Sequence, residues 1–159
     1  MTLVLAGLTL LVLALSVPQS LRDALDRGGL YLFSREFFAD IPKRLVGPGR
    51  LRFLFQPLAA TLLGIRGGRA DARAGRPAYL WGLLFRRGLR RELARSGFDS
   101  VLNLVLVGIL LDSVFQWLIL GASYPGAAVV VGPTLIAAPY AVARALANRL
   151  TPAPHPQEE

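Results

Sequence analysis

The amino-acid sequence predicts an all-α integral membrane protein with three to four transmembrane helices and amphipathic helices at the membrane surface. Three observations carry this expectation. Residues 101–122 run for twenty-two positions with a single charge, Asp112, and residues 124–143 run for twenty with none. A span needs about 20 apolar residues, the hydrocarbon thickness at about 1.5 Å per residue. The cations, finally, lie mostly between the apolar runs, which is where the positive-inside rule puts them.

Composition agrees with that class. The chain has 159 residues, of which 53% are hydrophobic, and a net charge of +8 from 18 cations against 10 acids. Only Lys43 among the cations is a lysine. So one-sided an arginine usage reflects genomic base composition more than guanidinium chemistry. A pI near 11.2 would suit a nucleic-acid partner, but the placement of the charges argues for a membrane instead. No cysteine is present, which excludes disulfides and thiolate chemistry.

The elements follow in order. Residues 1–21 are read as an N-terminal transmembrane anchor. Their apolar heart, residues 3–17, is fifteen long and reaches spanning length only with its flanks. A signal peptide is the rival: Ala14-Leu15-Ser16 resembles a cleavage site, although no basic stretch precedes the run. Residues 22–50 form an amphipathic interfacial segment. Leu30, Phe33, Phe37, Ile41 and Leu45 recur at helical spacing, with Arg35, Glu36 and Asp40 between them. Such a stripe suits a helix lying in the interface, or one packed on other helices. Pro42 and the turn Gly47-Pro48-Gly49 close it.

Residues 51–66 are re-entrant or transmembrane. The uncharged part, 53–65, is thirteen residues, short for a span and kinked by Pro57. Snorkelling by Arg50, Arg52 and Arg66 would lengthen it. Residues 67–100 make a basic cytoplasmic region with an amphipathic helix. Trp81, Arg86, Arg87, Arg90, Arg91 and Arg95 are its expected lipid-facing set, an aromatic anchor with cations for anionic headgroups. An acidic protein partner is the alternative. Residues 101–143 form a transmembrane hairpin turning at Ser123-Tyr124-Pro125-Gly126, with Gly132, Pro133 and Pro139 bending its second arm. Basic residues flank both ends, so both ends and the C-terminus face the cytoplasm. Residues 144–159, with the sole histidine His155, are expected to be a disordered cytoplasmic tail.

Asp112 is the most informative residue. A carboxylate at mid-membrane costs about 2.5–3.5 kcal/mol on insertion scales, so it must find partners. Gln116 lies one turn on, and hairpin register brings Thr134 close, giving an intramembrane polar patch of Asp112, Gln116 and Thr134. The same register joins Asp99, Asn103 and Arg144 at the cytoplasmic end. Ala137, Ala141 and Ala145 form a small-residue ridge suited to close helix approach. No catalytic, cofactor or metal constellation is seen. No serine lies in a GxSxG or SxxK setting, and Gly64-Ile65-Arg66-Gly67-Gly68 lacks phosphate-loop spacing.

The run Phe55-Gln56-Pro57-Leu58-Ala59, with Leu63-Gly64-Ile65-Arg66, Asp71-Ala72-Arg73, Gly75-Arg76-Pro77-Ala78-Tyr79 and Trp81, resembles a group of small bacterial inner-membrane proteins with no assigned activity. Asp112 with Gln116, Tyr124-Pro125-Gly126 and Pro139-Tyr140 extend the resemblance over residues 52–144. It implies a multi-pass protein of the bacterial inner membrane and supplies no function to transfer. Two roles remain open. One is a non-enzymatic accessory or scaffold subunit, partnered by anionic lipid, a membrane protein or a second copy. The other is a small ion or proton transporter working through Asp112 and Gln116.

Overall fold

A computed structural model describes residues 1–152; the end of the predicted tail, with His155, lies outside the described residues. The described chain is all-helical: α1 Thr2–Arg27, α2 Arg35–Val46, α3 Arg52–Arg73, α4 Tyr79–Phe85, α5 Arg87–Leu120 and α6 Pro125–Leu150. Three of these, α1, α5 and α6, are long and apolar enough to cross a membrane. α3 is not among them, because its second half carries Arg66, Arg69, Asp71 and Arg73.

Local chemistry sets the boundaries. α1 ends at Gly28, which takes the left-handed conformation at φ 70°. The N–H groups of Gly28 and Gly29 close onto the carbonyls of Leu25 and Ala24, which satisfies acceptors the helix leaves open. α2 starts at Ser34, whose hydroxyl accepts from the Phe37 N–H at 3.1 Å, an N-cap. The break between α4 and α5 falls at Arg86, and Arg90 donates to the carbonyls of Leu83 and Leu84 at 2.8 and 3.0 Å. That bond set ties the end of α4 to the start of α5. The single amphipathic helix expected in the basic region is therefore two pieces, and the second is continuous with the span. α5 has 34 residues, about 51 Å at about 1.5 Å each, against a hydrocarbon core of about 30 Å. α6 opens on Pro125, which suits a first helical position. It runs on to Leu150, so residues 144–150 are helix and not the expected tail.

The chain divides into two units: residues 1–56 with 103–136, and residues 57–102 with 137–152. In the first, Tyr31, Phe37, Ala122, Tyr124 and Ala127 form a small core. Tyr31 stacks on Tyr124 with ring centroids 3.8 Å apart. α5 and α6 meet where Gly108 faces Gly132: a Cβ on Gly132 would lie 2.9 Å from the Gly108 carbonyl carbon. The expected register set Asp112 close to Thr134. The glycine crossing sets it level with Ala128 instead, because the close approach of two glycines decides where the helices meet.

In the second unit the close approach lies on α3. A Cβ on Gly64 would sit 2.5 Å from the Tyr140 carbonyl oxygen, and one on Gly68 would overlap the Arg144 carbonyl. Ala143 and Ala147 complete the contact from α6. Of the expected ridge Ala137, Ala141, Ala145, only Ala145 is buried; Ala137 is exposed and Ala141 half-buried.

α2 turns its face the opposite way to a helix of a water-soluble protein. Of the apolar stripe, only Phe37 is buried, while Leu30, Phe33, Ile41 and Leu45 are exposed. The inward residues are Phe37, Asp40 and Arg44. α1 shows the same preference, with Thr9 its only buried residue. Lipid is as apolar as leucine, so apolar side chains gain little by turning inward. Polar groups, by contrast, need internal partners.

Candidate functional site

The first unit holds a cluster of buried charge built on α2, α3 and α5. Asp112, on α5, is fully buried. Its carboxylate meets Arg52 at 2.5 Å and Arg44 at 3.5 Å. Gln116, one turn along α5, donates to it at 2.6 Å and accepts from the Tyr124 N–H at 2.9 Å. Gln116 thus joins the acid to the turn between α5 and α6, and supplies a partner for a backbone N–H that has no helix to serve it.

Arg44 extends the network outward. It donates to the Tyr31 hydroxyl at 3.2 Å, and that hydroxyl donates to Asp40 at 2.8 Å. Lys43 caps the chain, 2.8 Å from Asp40. Burial pushes the Tyr31 phenol up to about 12, even though the Arg44 hydrogen bond pulls it down. Aromatic faces cover both guanidiniums. Phe37 lies 5.7 Å from Arg44, and Phe53 lies 4.7 Å from Arg52, distances at which a cation is attracted to a ring. Beside the cluster, the Tyr124 hydroxyl accepts from Arg27 at 2.5 Å and donates to Asp23 at 2.9 Å.

The inner trio of Arg44, Arg52 and Asp112 carries two positive charges against one negative. It is also incompletely bonded. The Nε of Arg44, the Nε and Nη1 of Arg52 and both amide atoms of Gln56 have no hydrogen-bond partner among the described residues. The Arg52 contact with Asp112 is close but out of hydrogen-bond alignment. A buried polar group left unmade costs about 1–3 kcal/mol, more if charged. Removing one member of a buried ion pair costs about 3–5 kcal/mol. Asp112 is therefore where the charge balance of this unit is decided.

The second unit has its own ion pair, and it is fully bonded. Arg144 donates two hydrogen bonds to Asp71, at 2.6 and 3.0 Å, one to the Tyr140 hydroxyl at 2.8 Å and one to Ser96 at 3.1 Å. The Tyr79 ring covers it at 4.5 Å, and burial raises the pKa of that phenol. Such a bidentate, aromatic-covered arginine is a fixed strut.

The structure redistributes the expected sites. Asp112 and Gln116 stand together, but Thr134 is exposed and turns back to the Val130 carbonyl at 2.6 Å. The glycine crossing sets its helix out of the expected register. Arg144 is taken up by Asp71, Tyr140 and Ser96 rather than by Asp99 and Asn103. Asp99 is exposed, 3.9 Å from Arg95, and the Asn103 carbonyl oxygen has no partner among the described residues. Trp81, Arg86, Arg87, Arg90, Arg91 and Arg95 are all exposed. Arg44, Arg52 and Asp71 were absent from the expected sites. Their signal was helical spacing with other inward residues: Phe37, Asp40 and Arg44 on α2, and Arg52, Gln56, Ala60, Gly64, Gly68 and Asp71 on α3. Among the described residues, no three His, Asp or Glu side chains converge as metal ligands. No protein-family model matches the chain, and no curated protein or solved structure shows significant similarity to it.

Proposed function

We propose that this chain is a non-enzymatic accessory or scaffold subunit of the bacterial inner membrane, with its C-terminus in the cytoplasm. One observation carries the reading. The buried charges pair with one another, in the Arg44–Asp112–Arg52 and Asp71–Arg144 clusters, while an aromatic and cationic surface lies exposed on α4 and α5. Paired charges set helix positions; the exposed surface is what a partner meets.

That surface is Trp81 with Arg86, Arg87, Arg90, Arg91 and Arg95, all exposed. Each arginine near an anionic leaflet is worth about 1 kcal/mol, so several acting together hold the segment at the cytoplasmic surface. The arginines around the two ends of the α5–α6 hairpin favour the same side. Vesicle flotation tests this reading. The purified protein in phosphatidylcholine nanodiscs is expected to co-float with phosphatidylglycerol vesicles and to release them in high salt. Arg87→Gln with Arg91→Gln is expected to weaken the association. Salt-independent association, equal with neutral vesicles, would overturn it. A mild-detergent pull-down then looks for the partner subunit that the reading requires.

Transport is the second reading, and the charge of the trio redirects it. With two guanidiniums on one carboxylate, the site favours an anion over a cation or proton.

A further inference from the structure

We propose that the cavity between the second half of α3, the start of α5 and the end of α6 binds a phosphate-type oxyanion. It has a volume of about 390 Å³, and Arg66, Asp71, Arg76, Ser96, Ser100 and Arg144 supply its polar lining. The local fold brings these groups together. Past the end of α3, Gly75 takes the left-handed conformation at φ 65°. The N–H groups of Gly75 and Arg76 close onto the carbonyls of Ala72 and Asp71 at 3.0 and 2.9 Å, which turns Arg76 back beside Asp71. Asn148 donates to the Arg76 carbonyl at 3.1 Å and holds that turn against α6. From there the polar heads follow in an unbroken line. Arg76 Nη1 lies 3.6 Å from Asp71 Oδ1, and Arg144 Nη2 donates to the same oxygen at 3.0 Å and to Ser96 Oγ at 3.1 Å.

The balance of charge and donors selects the ligand. Three guanidiniums line the cavity against one carboxylate, and Asp71 is neutralised by its two hydrogen bonds from Arg144. Arg66 and Arg76 remain. Both are exposed, so their donors are open to a ligand. Arg66 pairs with no acid among the described residues. Arg76 reaches Asp71 only at 3.6 Å and the exposed Glu92 only at 3.8 Å, beyond hydrogen-bond length. The Ser96 hydroxyl accepts from Arg144, which leaves its own proton to donate. Guanidinium forks with a hydroxyl match a tetrahedral oxyanion. A phosphate offers three acceptor oxygens to these donors, where a carboxylate offers two. Water takes about 30 Å³ per molecule in the liquid, so about 390 Å³ holds a phosphate with an attached group. The inference is independent of the arginine surface on α4 and α5.

The test uses the full chain in phosphatidylcholine nanodiscs at constant ionic strength. Inorganic phosphate is titrated by calorimetry, and phosphatidic acid doped into the same discs is counted by native mass spectrometry. Saturable binding of one phosphate group per chain is expected. It is expected to weaken at least about tenfold in Arg66→Gln, the scale of a lost hydrogen bond to a charged group. Arg66 supports no ion pair among the described residues, so this variant is expected to unfold no earlier than the parent. Arg76→Gln keeps the backbone bonds of its turn and is expected to show the same weakening. Either ligand supports the pocket: binding of inorganic phosphate means that the phosphate group alone suffices, and phosphatidic acid retained without it means that the acyl part is needed. Neither ligand bound, or binding unchanged in both folded variants, would overturn the inference. Arg87→Gln with Arg91→Gln is expected to leave this binding unchanged, so the two surfaces fail separately. Loss of binding in that variant alone would move the ligand to α4 and α5 and overturn the inference as well.

Discussion

Replacing Asp112 by Asn removes one charge and little else, which makes it the sharpest probe of the buried trio. The amide oxygen can still accept from Gln116, now 2.6 Å from the carboxylate, so the shape and that hydrogen bond survive. What is lost is the charge facing Arg52 at 2.5 Å and Arg44 at 3.5 Å. At an effective dielectric of about 20, each contact is worth about 5–7 kcal/mol before desolvation. Desolvation offsets most of that, and loss of one partner from a buried pair typically costs about 3–5 kcal/mol. The expected destabilisation of Asp112→Asn is therefore about 3–5 kcal/mol, read as unfolding free energy in mixed micelles of mild detergent and dodecyl sulfate. Adding Arg44→Met removes one stranded cation, so the double variant is expected to lose less than the two single losses together. A loss for Asp112→Asn below about 0.5 kcal/mol, the range of ordinary surface changes, would refute the claim that this acid balances the cluster.

Three further predictions use the same unfolding measurement. Asp71→Asn weakens the bidentate pair with Arg144 and is expected to cost about 3–5 kcal/mol. Gly68→Val drives a side chain into the Arg144 carbonyl and is expected to cost about 1–3 kcal/mol or more. Gly7→Val, where a Cβ meets nothing within 4 Å, is expected to cost far less. For Tyr31, the folded phenol titrates near 12 against 10.0 for an ordinary one. A raised pKa means the fold holds the proton more tightly. That contribution is complete below pH 10 and falls as pH rises to about 12, by about 2–3 kcal/mol. Tyr31→Phe is expected to flatten that slope.

The all-helical class and the long apolar helices α5 and α6 were legible in the sequence, because uncharged runs of that length stand out among charged neighbours. Asp112 with Gln116 was legible for a similar reason: four residues apart on one helix means one face. Arg44 lies 68 residues from Asp112 and Asp71 lies 73 from Arg144, and no local period encodes such pairings. The apolar stripe on α2 pointed the wrong way, since in lipid its leucines and phenylalanines can stay outside. Expecting Asp99 and Asn103 beside Arg144 failed because register was counted from the turn, whereas the Gly108–Gly132 crossing sets it.

The proposed multi-pass topology places α4, the start of α5 and the C-terminus in the cytoplasm. The chain has no cysteine, so single cysteines report position without background. Gly126→Cys, beside the α5–α6 turn, is expected to react with a membrane-impermeant maleimide in intact spheroplasts. Arg90→Cys and Thr151→Cys are expected to react only after the membrane is opened. Labelling of Arg90→Cys or Thr151→Cys in sealed spheroplasts, with Gly126→Cys protected, would contradict the topology.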